Sequence, residues 1–412
     1  MPNRKPARNV FILGAGFSWR AGAPLVRDFL DRARELFDDP LVDFEDYERA
    51  HFEEVFKFKR DMAQAREKVE MDLDDIEKLF GLVEMSYRLG ECSRETRDST
   101  VYLIAKTLQL ATHPPGRGGW TIRLILQRGF RGRIDLAARP DVFQPEYENP
   151  EPSYHADIYD YFASLIAGLF DDPSRQKTRV GTVITFNYDL VIDDALRRLG
   201  VGVDYHLPTD CFLESKMRTD ANSCSVLKLH GSTNWGICPS CQRRGIILGE
   251  KFSGAPSEVR MQTCDRCPGR LFQPLLVPPS WDKSEYQEIM KPVWRRAVEE
   301  LRLATRIFVI GYSAPEVDAF FQYLLTLGLS GNHSLFKFIV VDLVPASIPT
   351  ATELGHLVPG CVENKYKQLL DRLFQKRRFS FHPEGFERWI STERALIELG
   401  QGEGLLHVAP QN

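Results

Sequence analysis

The sequence predicts an α/β protein: a doubly wound parallel sheet, interrupted by a helical insertion and carrying a small four-cysteine ribbon. Three observations predict it. Short apolar runs recur, and each passes through a glycine or polar turn into residues at helical spacing, the pattern of strands buried on both faces between crossover helices. A long stretch of charged amphipathic segments separates the first such unit from the second. Two Cys-x-x-Cys pairs, Cys238/Cys241 and Cys264/Cys267, follow the second unit.

Asn9 to Leu13 is the first strand, GAGFS its turn, and Val26 to Phe37 the helix beyond. Glu53 to Val69, Leu73 to Leu89, Val101 to Leu110 and Ile158 to Leu169 carry apolar stripes of helical period. Pro114 to Tyr154, rich in Pro, Gly and Arg, reads as a long loop or irregular excursion. The strand pattern returns at TVITFNYD, with a helix over Leu190 to Leu199, and again at Ser225 to Leu229, which runs into His230-Gly231-Ser232. Leu275 to Val277 is a short apolar run. Beyond it, Trp294 to Thr305 (helix), Ile307 to Ile310 (strand), Ala314 to Leu327 (helix) and Phe336 to Val341 (strand) complete the alternation. The expected organisation is Rossmann-like segments at 1–40, 176–235 and 273–345, a mostly helical insertion at 41–175, a ribbon at 236–272 and a mainly helical tail at 346–412.

A chain of 412 residues is long for one compact unit, which agrees with a core plus an insertion. The net charge of −4 gives no overall attraction for nucleic acid, so direct nucleic-acid binding is not expected despite the basic run at Gln375 to Arg378. Val10 to Leu13 is too short for a signal-peptide core or a membrane span. No membrane association and a cytoplasmic location are therefore expected. Eight cysteines, four of them scattered as Cys92, Cys211, Cys224 and Cys361, are the usage of a reducing compartment with one metal site rather than of a disulfide scaffold.

Four motifs sit where parallel strands end, the side on which open α/β sheets bind ligands. Gly14-Ala15-Gly16, with Ser18 beyond, allows the backbone to approach a diphosphate at a helix N-terminus, although a ligand-free strand-to-helix turn needs glycine as well. In TFNYD, Asn187 has an amide suited to a ribose hydroxyl or a water, and Asp189 suits orienting its neighbours; the alternative is that both cap the next helix. Gly311 and Ser313 in GYSAPEVD form a fourth strand-end turn, and Asp342 after IVV stands where dinucleotide folds hold an adenosine ribose. Trp281 and Trp294 read as core. The two Cys-x-x-Cys pairs wrap the two sides of one tetrahedral ion. Thiolate softness selects Zn2+, and four protein ligands leave no open position, so Cys238, Cys241, Cys264 and Cys267 are read as a structural zinc site.

The longer string GAGFSWRAGAPLVR resembles the sirtuin signature of GAG, Ser, and a later Gly, Pro and Arg at the same offsets. TFNYD resembles the sirtuin TQNID segment and LHGS the sirtuin HG motif, and a cysteine ribbon again follows shortly after. The resemblance covers about residues 8–40 and 178–345. It implies that Gly14, Ala15, Gly16, Ser18, Arg27, Gly311, Ser313 and Asp342 bind NAD+, and that His230, Asn187 and Asp189 form the catalytic set. His230 would be the base. Departures from the deacylases are also present: Leu25 and Val26 replace the usual Asp and Phe, Phe186 replaces Gln, and PLLVPPSWDK lacks an acyl-peptide segment. With the large insertion, the chain is most similar in kind to the sirtuin-like NADases of bacterial antiphage defence. That resemblance implies NAD+ hydrolysis to nicotinamide and ADP-ribose, a homo-oligomer, and a partner such as a HerA-like ATPase or another defence protein. An NAD-dependent protein-lysine deacylase and a non-catalytic NAD or ADP-ribose sensor are the alternatives.

Overall fold

The computed structural model describes residues 8–64, 69, 71–112, 121–125, 153–168, 181–208, 223–247, 256–260, 262–267, 272–278, 286–314, 319–344, 362–399 and 408–410. Most of Pro114 to Tyr154, Trp281, and residues 315–318 and 345–361 lie outside them. In chain order the elements are β1 (Asn9–Leu13), α1 (Ala15–Ser18), α2 (Phe29–Asp38), α3 (Asp46–Ala63), α4 (Ile76–Leu89), α5 (Arg94–Ala111), β2 (Thr121–Ile125), β3 (Ser153–Asp157), α6 (Ile158–Ile166), β4 (Thr182–Thr185) and α7 (Val191–Arg198). There follow β5 (Gly202–Asp204), β6 (Ser223–Lys228), β7 (Gly231–Ile237), β8 (Arg244–Ile246), α8 (Pro256–Arg260), β9 (Gln273–Leu276), α9 (Gln287–Leu303), β10 (Arg306–Ile310), α10 (Ala319–Leu329) and β11 (Lys337–Val341). The last are α11 (Val362–Leu369), α12 (Asp371–Gln375), β12 (Phe379–His382), α13 (Gly385–Ile390), α14 (Glu393–Leu399) and β13 (Val408–Pro410).

Seven strands form the main sheet in the order β12-β11-β10-β1-β4-β6-β5. Every pairing in it is parallel, with Leu13 opposite both Ile310 and Thr185. Val10, Ile12 and Leu13 are fully buried, as a central strand covered on both faces requires. The chain builds outward from β1 through β4 to β6, then crosses to the other side of β1 to lay down β10, β11 and β12. The strand order therefore reverses beside β1, and the crevice at that switch point opens at the carboxyl ends of β1, β4 and β10. This is the doubly wound α/β architecture expected from the sequence.

Within the stretch assigned to the insertion, α3 to α5 share with α2 of the first segment a second core in which Phe52, Val55, Leu79, Val83 and Leu103 are buried. Their ends carry the expected local signals. Glu45 and Glu48 form a capping box at α3, Asp75 accepts from the Glu77 and Lys78 N–H groups at α4, and Gly90 closes α4 at φ +77°. In contrast, α6 belongs to the main core: Phe162 meets Phe11 and Phe17 at ring distances of 5.3 and 5.4 Å. All nine of its residues are buried, so no polar face in its sequence told which core it served. The tail contributes β12, which pairs with β11 at the sheet edge. Its four residues, FSFH, follow the basic run and are too short to stand out as a strand. Two small antiparallel sheets complete the fold, β13-β2-β3 and β8-β7-β9. No helix among the described residues is long and apolar enough to cross a membrane.

Candidate functional site

The turn after β1 is built against the turn after β10. Gly14 N–H donates to the Ile310 carbonyl at 3.0 Å and Gly16 N–H to the Gly311 carbonyl at 2.8 Å. A Cβ on Gly14 would lie 2.5 Å from the Gly311 oxygen, and one on Gly311, whose φ is +62°, would lie 2.2 Å from the Phe17 nitrogen. The glycines thus allow two loop backbones to touch, and both of these N–H groups are committed to protein carbonyls rather than pointing at an anion. Gly22, at φ +96°, similarly seats the far end of the loop on the Ala111 carbonyl at the end of α5.

Ser18 is 1% exposed and lies beside the turn that follows β4. The Asn187 amide uses its two hydrogens there, donating to the Gly14 carbonyl at 2.9 Å and to Ser18 Oγ at 3.1 Å. Its carbonyl oxygen has no protein partner among the described residues, which leaves an acceptor. The Ser18 hydroxyl in turn reaches the Asp189 carboxylate. Asp189 also accepts the Val191 N–H at 3.0 Å, so it holds the start of α7 as an Asx turn, one of the two readings the sequence left open. Burial pushes its carboxyl above the ordinary value, while the Lys228 ammonium, the Val191 N–H and the Ser18 hydroxyl pull the other way.

Beneath this turn lies a network that sequence reasoning missed. The Thr185 hydroxyl donates to the Leu13 carbonyl at 3.1 Å and accepts the Asn187 N–H at 3.0 Å, tying β4 to β1 at the mouth. Lys228, wholly buried, donates to the Asp189 carbonyl and pairs with Asp193 at 3.2 Å. Tyr205 donates to the other Asp193 oxygen at 2.5 Å, and Asn234 donates to the Tyr205 oxygen at 3.2 Å. The signal in the sequence was a lysine directly after the apolar Val226-Leu227 of β6.

His230 lies two residues beyond the end of β6 and is 3% exposed. The Phe186 ring meets it edge-on at 5.2 Å, and Tyr188 lies 6.2 Å away. Phe186 itself stacks on Tyr312, from the turn after β10, at 4.7 Å. Backbone bonds fix the histidine: Val277 N–H donates to its carbonyl at 2.7 Å, and Trp294 Nε1 donates to the preceding Leu229 carbonyl at 2.9 Å. Gly231 needs its left-handed φ of +85° because a Cβ there would lie 2.1 Å from the Leu275 oxygen.

The remaining candidates lie further out. Arg27 is exposed in the turn before α2, and Ser313 is exposed after Gly311. Asp342 follows β11, half-buried, and accepts the Leu343 N–H at 2.9 Å. Burial pushes its carboxyl up to about 6. An unfolded aspartate titrates near ~4, so between these values the folded chain binds the extra proton and stability falls as pH rises. Asp342→Asn is expected to be more stable than the parent at pH 7 and equal to it below pH ~4. Melting temperatures across that range check this; parallel curves for the two proteins would refute it.

The four ribbon sulfurs lie within 4.8 Å of one another, with Cys241 and Cys264 Sγ at 3.6 Å. Tetrahedral zinc with ~2.3 Å bonds separates its thiolates by roughly 3.8 Å, so the four side chains fit that ion. Cys238 and Cys264 are buried with Ile247, Val259 and Phe272 in a small core of their own. Metal analysis is expected to find a single zinc equivalent, lost from Cys264→Ser together with the melting transition of the ribbon. A metal-free parent chain with unchanged stability would contradict this.

No protein-family model and no curated protein matches the chain. Solved structures do resemble it. It is similar to a Sir2 homologue in complex with NAD, at 14% identity over 90% of this chain and 91% of the other, with a TM-score of 0.35. It is similar to a Sir2 homologue variant with ADP-ribose, at 16% identity over 90% and 94%, TM-score 0.36, and to Sir2 with a p53 peptide and NAD+, at 14% identity over 90% and 94%, TM-score 0.35. These are loose superpositions; the parallel strand order and the four-cysteine cluster are what define this chain's architecture.

Proposed function

We propose that the protein is an NAD+ hydrolase that cleaves the nicotinamide–ribose bond to give nicotinamide and ADP-ribose. The observation that carries the reading is that Asn187 bonds to Ser18 while His230 packs against Phe186 and Tyr188, the residues on either side of Asn187, at the carboxyl ends of the neighbouring strands β1, β4 and β6. These residues belong to the motifs that resemble the sirtuin signature.

In this reading the C–N bond to nicotinamide breaks with its electron pair leaving on the ring nitrogen, and a water oxygen bonds to the oxocarbenium-like carbon. His230 takes the water's proton. Asn187 holds that water or a ribose hydroxyl through its free carbonyl oxygen, since both amide hydrogens are already used. Ser18 and Asp189 keep Asn187 in place, and Phe186 and Tyr312 wall the mouth against bulk water. Gly14, Ala15, Gly16, Gly311, Ser313 and Arg27 border the diphosphate, and Asp342 accepts from the adenosine ribose. The zinc has four thiolate ligands and stays out of the reaction.

Hydrolysis is favoured over deacylation by Leu25 and Val26 in the loop and by the absence of an acyl-peptide segment in PLLVPPSWDK. We further propose a role in antiphage defence through NAD+ depletion, as a homo-oligomer held inactive until triggered, with a partner in trans such as a HerA-like ATPase. The test is to incubate the purified chain with NAD+, alone and with the protein encoded beside it, and to follow nicotinamide and ADP-ribose. Release only after an acyl-peptide is added would make it a deacylase. Binding without turnover under every condition would make it a sensor.

A further inference from the structure

A cavity of about 180 Å³ lies between the helical insertion and the ribbon, walled by α4, α5, α8 and β9; His230, Asn187 and Ser18 do not line it. Three guanidinium groups face it, and their partners differ. Arg97 is neutralised by Glu84 at 2.7 Å and donates to the Tyr286 hydroxyl at 2.8 Å. Arg94 reaches Asp98 at 3.6 Å, and that carboxylate also accepts from Gln273 Nε2 at 2.8 Å. Arg260 has no carboxylate within ion-pair distance among the described residues.

What Arg260 does touch carries no charge to offset its own. Its guanidinium sits 5.4 Å from the centre of the Tyr102 ring and donates to His51 Nε2. His51 Nδ1 lies 2.9 Å from Ser99 Oγ, and burial, then the neighbouring Arg260 charge, hold that imidazole down at about 4. It is neutral at pH 7. Among the described residues three guanidinium groups thus meet two carboxylates, Glu84 and Asp98, and Asp98 feels the charge of all three, which leaves the half-buried Arg260 the least compensated. Such a charge is costly unless an anion meets it.

We propose that this cavity is a second ligand site, taking a small phosphate monoester that carries a planar ring. Arg260 and Arg94, on different elements, hold the phosphoryl oxygens by forked hydrogen bonds, and Gln273 offers a further donor. The ring lies against Tyr87 and Tyr286. A phosphoryl group presents three acceptor oxygens to donors arriving from α5, α8 and β9, where a carboxylate presents two. Because the walls come from both the insertion and the ribbon, the occupant binds the two together and stabilises the folded chain by linkage.

The experiment is calorimetric and thermal-shift titration of the zinc-loaded full chain with phenyl phosphate, inorganic phosphate, benzoate and phenol. Phenyl phosphate is expected to bind and raise the melting temperature, inorganic phosphate to bind more weakly, and phenol not at all. Arg260→Gln is expected to weaken phenyl phosphate at least about tenfold and to leave nicotinamide release unchanged. Arg94→Gln, at a more exposed side chain, is expected to weaken it too, and serves if Arg260→Gln fails to fold. No binding at millimolar phenyl phosphate would overturn the proposal. So would equal affinity in the parent and both variants, which would put the probe elsewhere, and so would benzoate binding as tightly.

Discussion

Replacing His230 by alanine is expected to lower nicotinamide release from NAD+ by about 10²–10⁴-fold while NAD+ affinity changes only a few-fold. The contrast follows from the geometry. The ring is buried against Phe186 and Tyr188, and the backbone around it is fixed by Val277, Trp294 and Gly231 independently of the imidazole. Asn187→Ala is expected to behave differently. It removes the free acceptor, but also two bonds that hold Gly14 and Ser18, so affinity and turnover fall together. Single-turnover rates measured beside equilibrium binding separate the two patterns. A His230→Ala protein with parental turnover would remove the histidine from the chemistry and leave the hydrolase reading without its base.

The second large effect is on folding. Lys228→Ala leaves Asp193 and the Asp189 carbonyl without their cation in a place where Lys228 and Asp193 are both wholly buried. Breaking such a pair from one side costs about 3–5 kcal/mol, because the remaining buried carboxylate loses its cation and keeps only the Tyr205 hydroxyl. Denaturation midpoints should fall accordingly for Lys228→Ala. Lys228→Met combined with Asp193→Asn should recover much of the loss, since Tyr205 still has an acceptor. A single variant as stable as the parent would mean that Asp193 is content with Tyr205 alone.

Much of the sheet was legible because β1, β4, β6, β10 and β11 are apolar runs that end in polar or glycine turns, and a buried parallel strand leaves that trace. Strand β12 was not, since FSFH at an edge needs only a short run and carries no alternation. The site's members were legible as residues but not as partners. Asn187 and Ser18 are 169 positions apart, and nothing local says that one donates to the other. The glycines were legible as a tight turn, but that Gly14 and Gly16 pack against Gly311 and Tyr312 was not. Likewise Thr185, Lys228 and Asp193 look like incidental polar residues until the topology stacks β1, β4 and β6 side by side.

The placement of β1 in the middle of the sheet has a consequence for a chain still on the ribosome. Arg8 N–H bonds to Thr305 Oγ1 across 297 positions, so the first strand's neighbour on one side is made long after it. At ~5–20 residues per second, the wait is roughly 15–60 s. Until β10 emerges, the glycine loop has no floor, even though Asn187 and His230 have already been synthesised. A translation product cut short before Ile310 would carry most of the reactive groups and no working mouth. On the hydrolase reading proposed above, the order of synthesis itself would keep unfinished copies inactive.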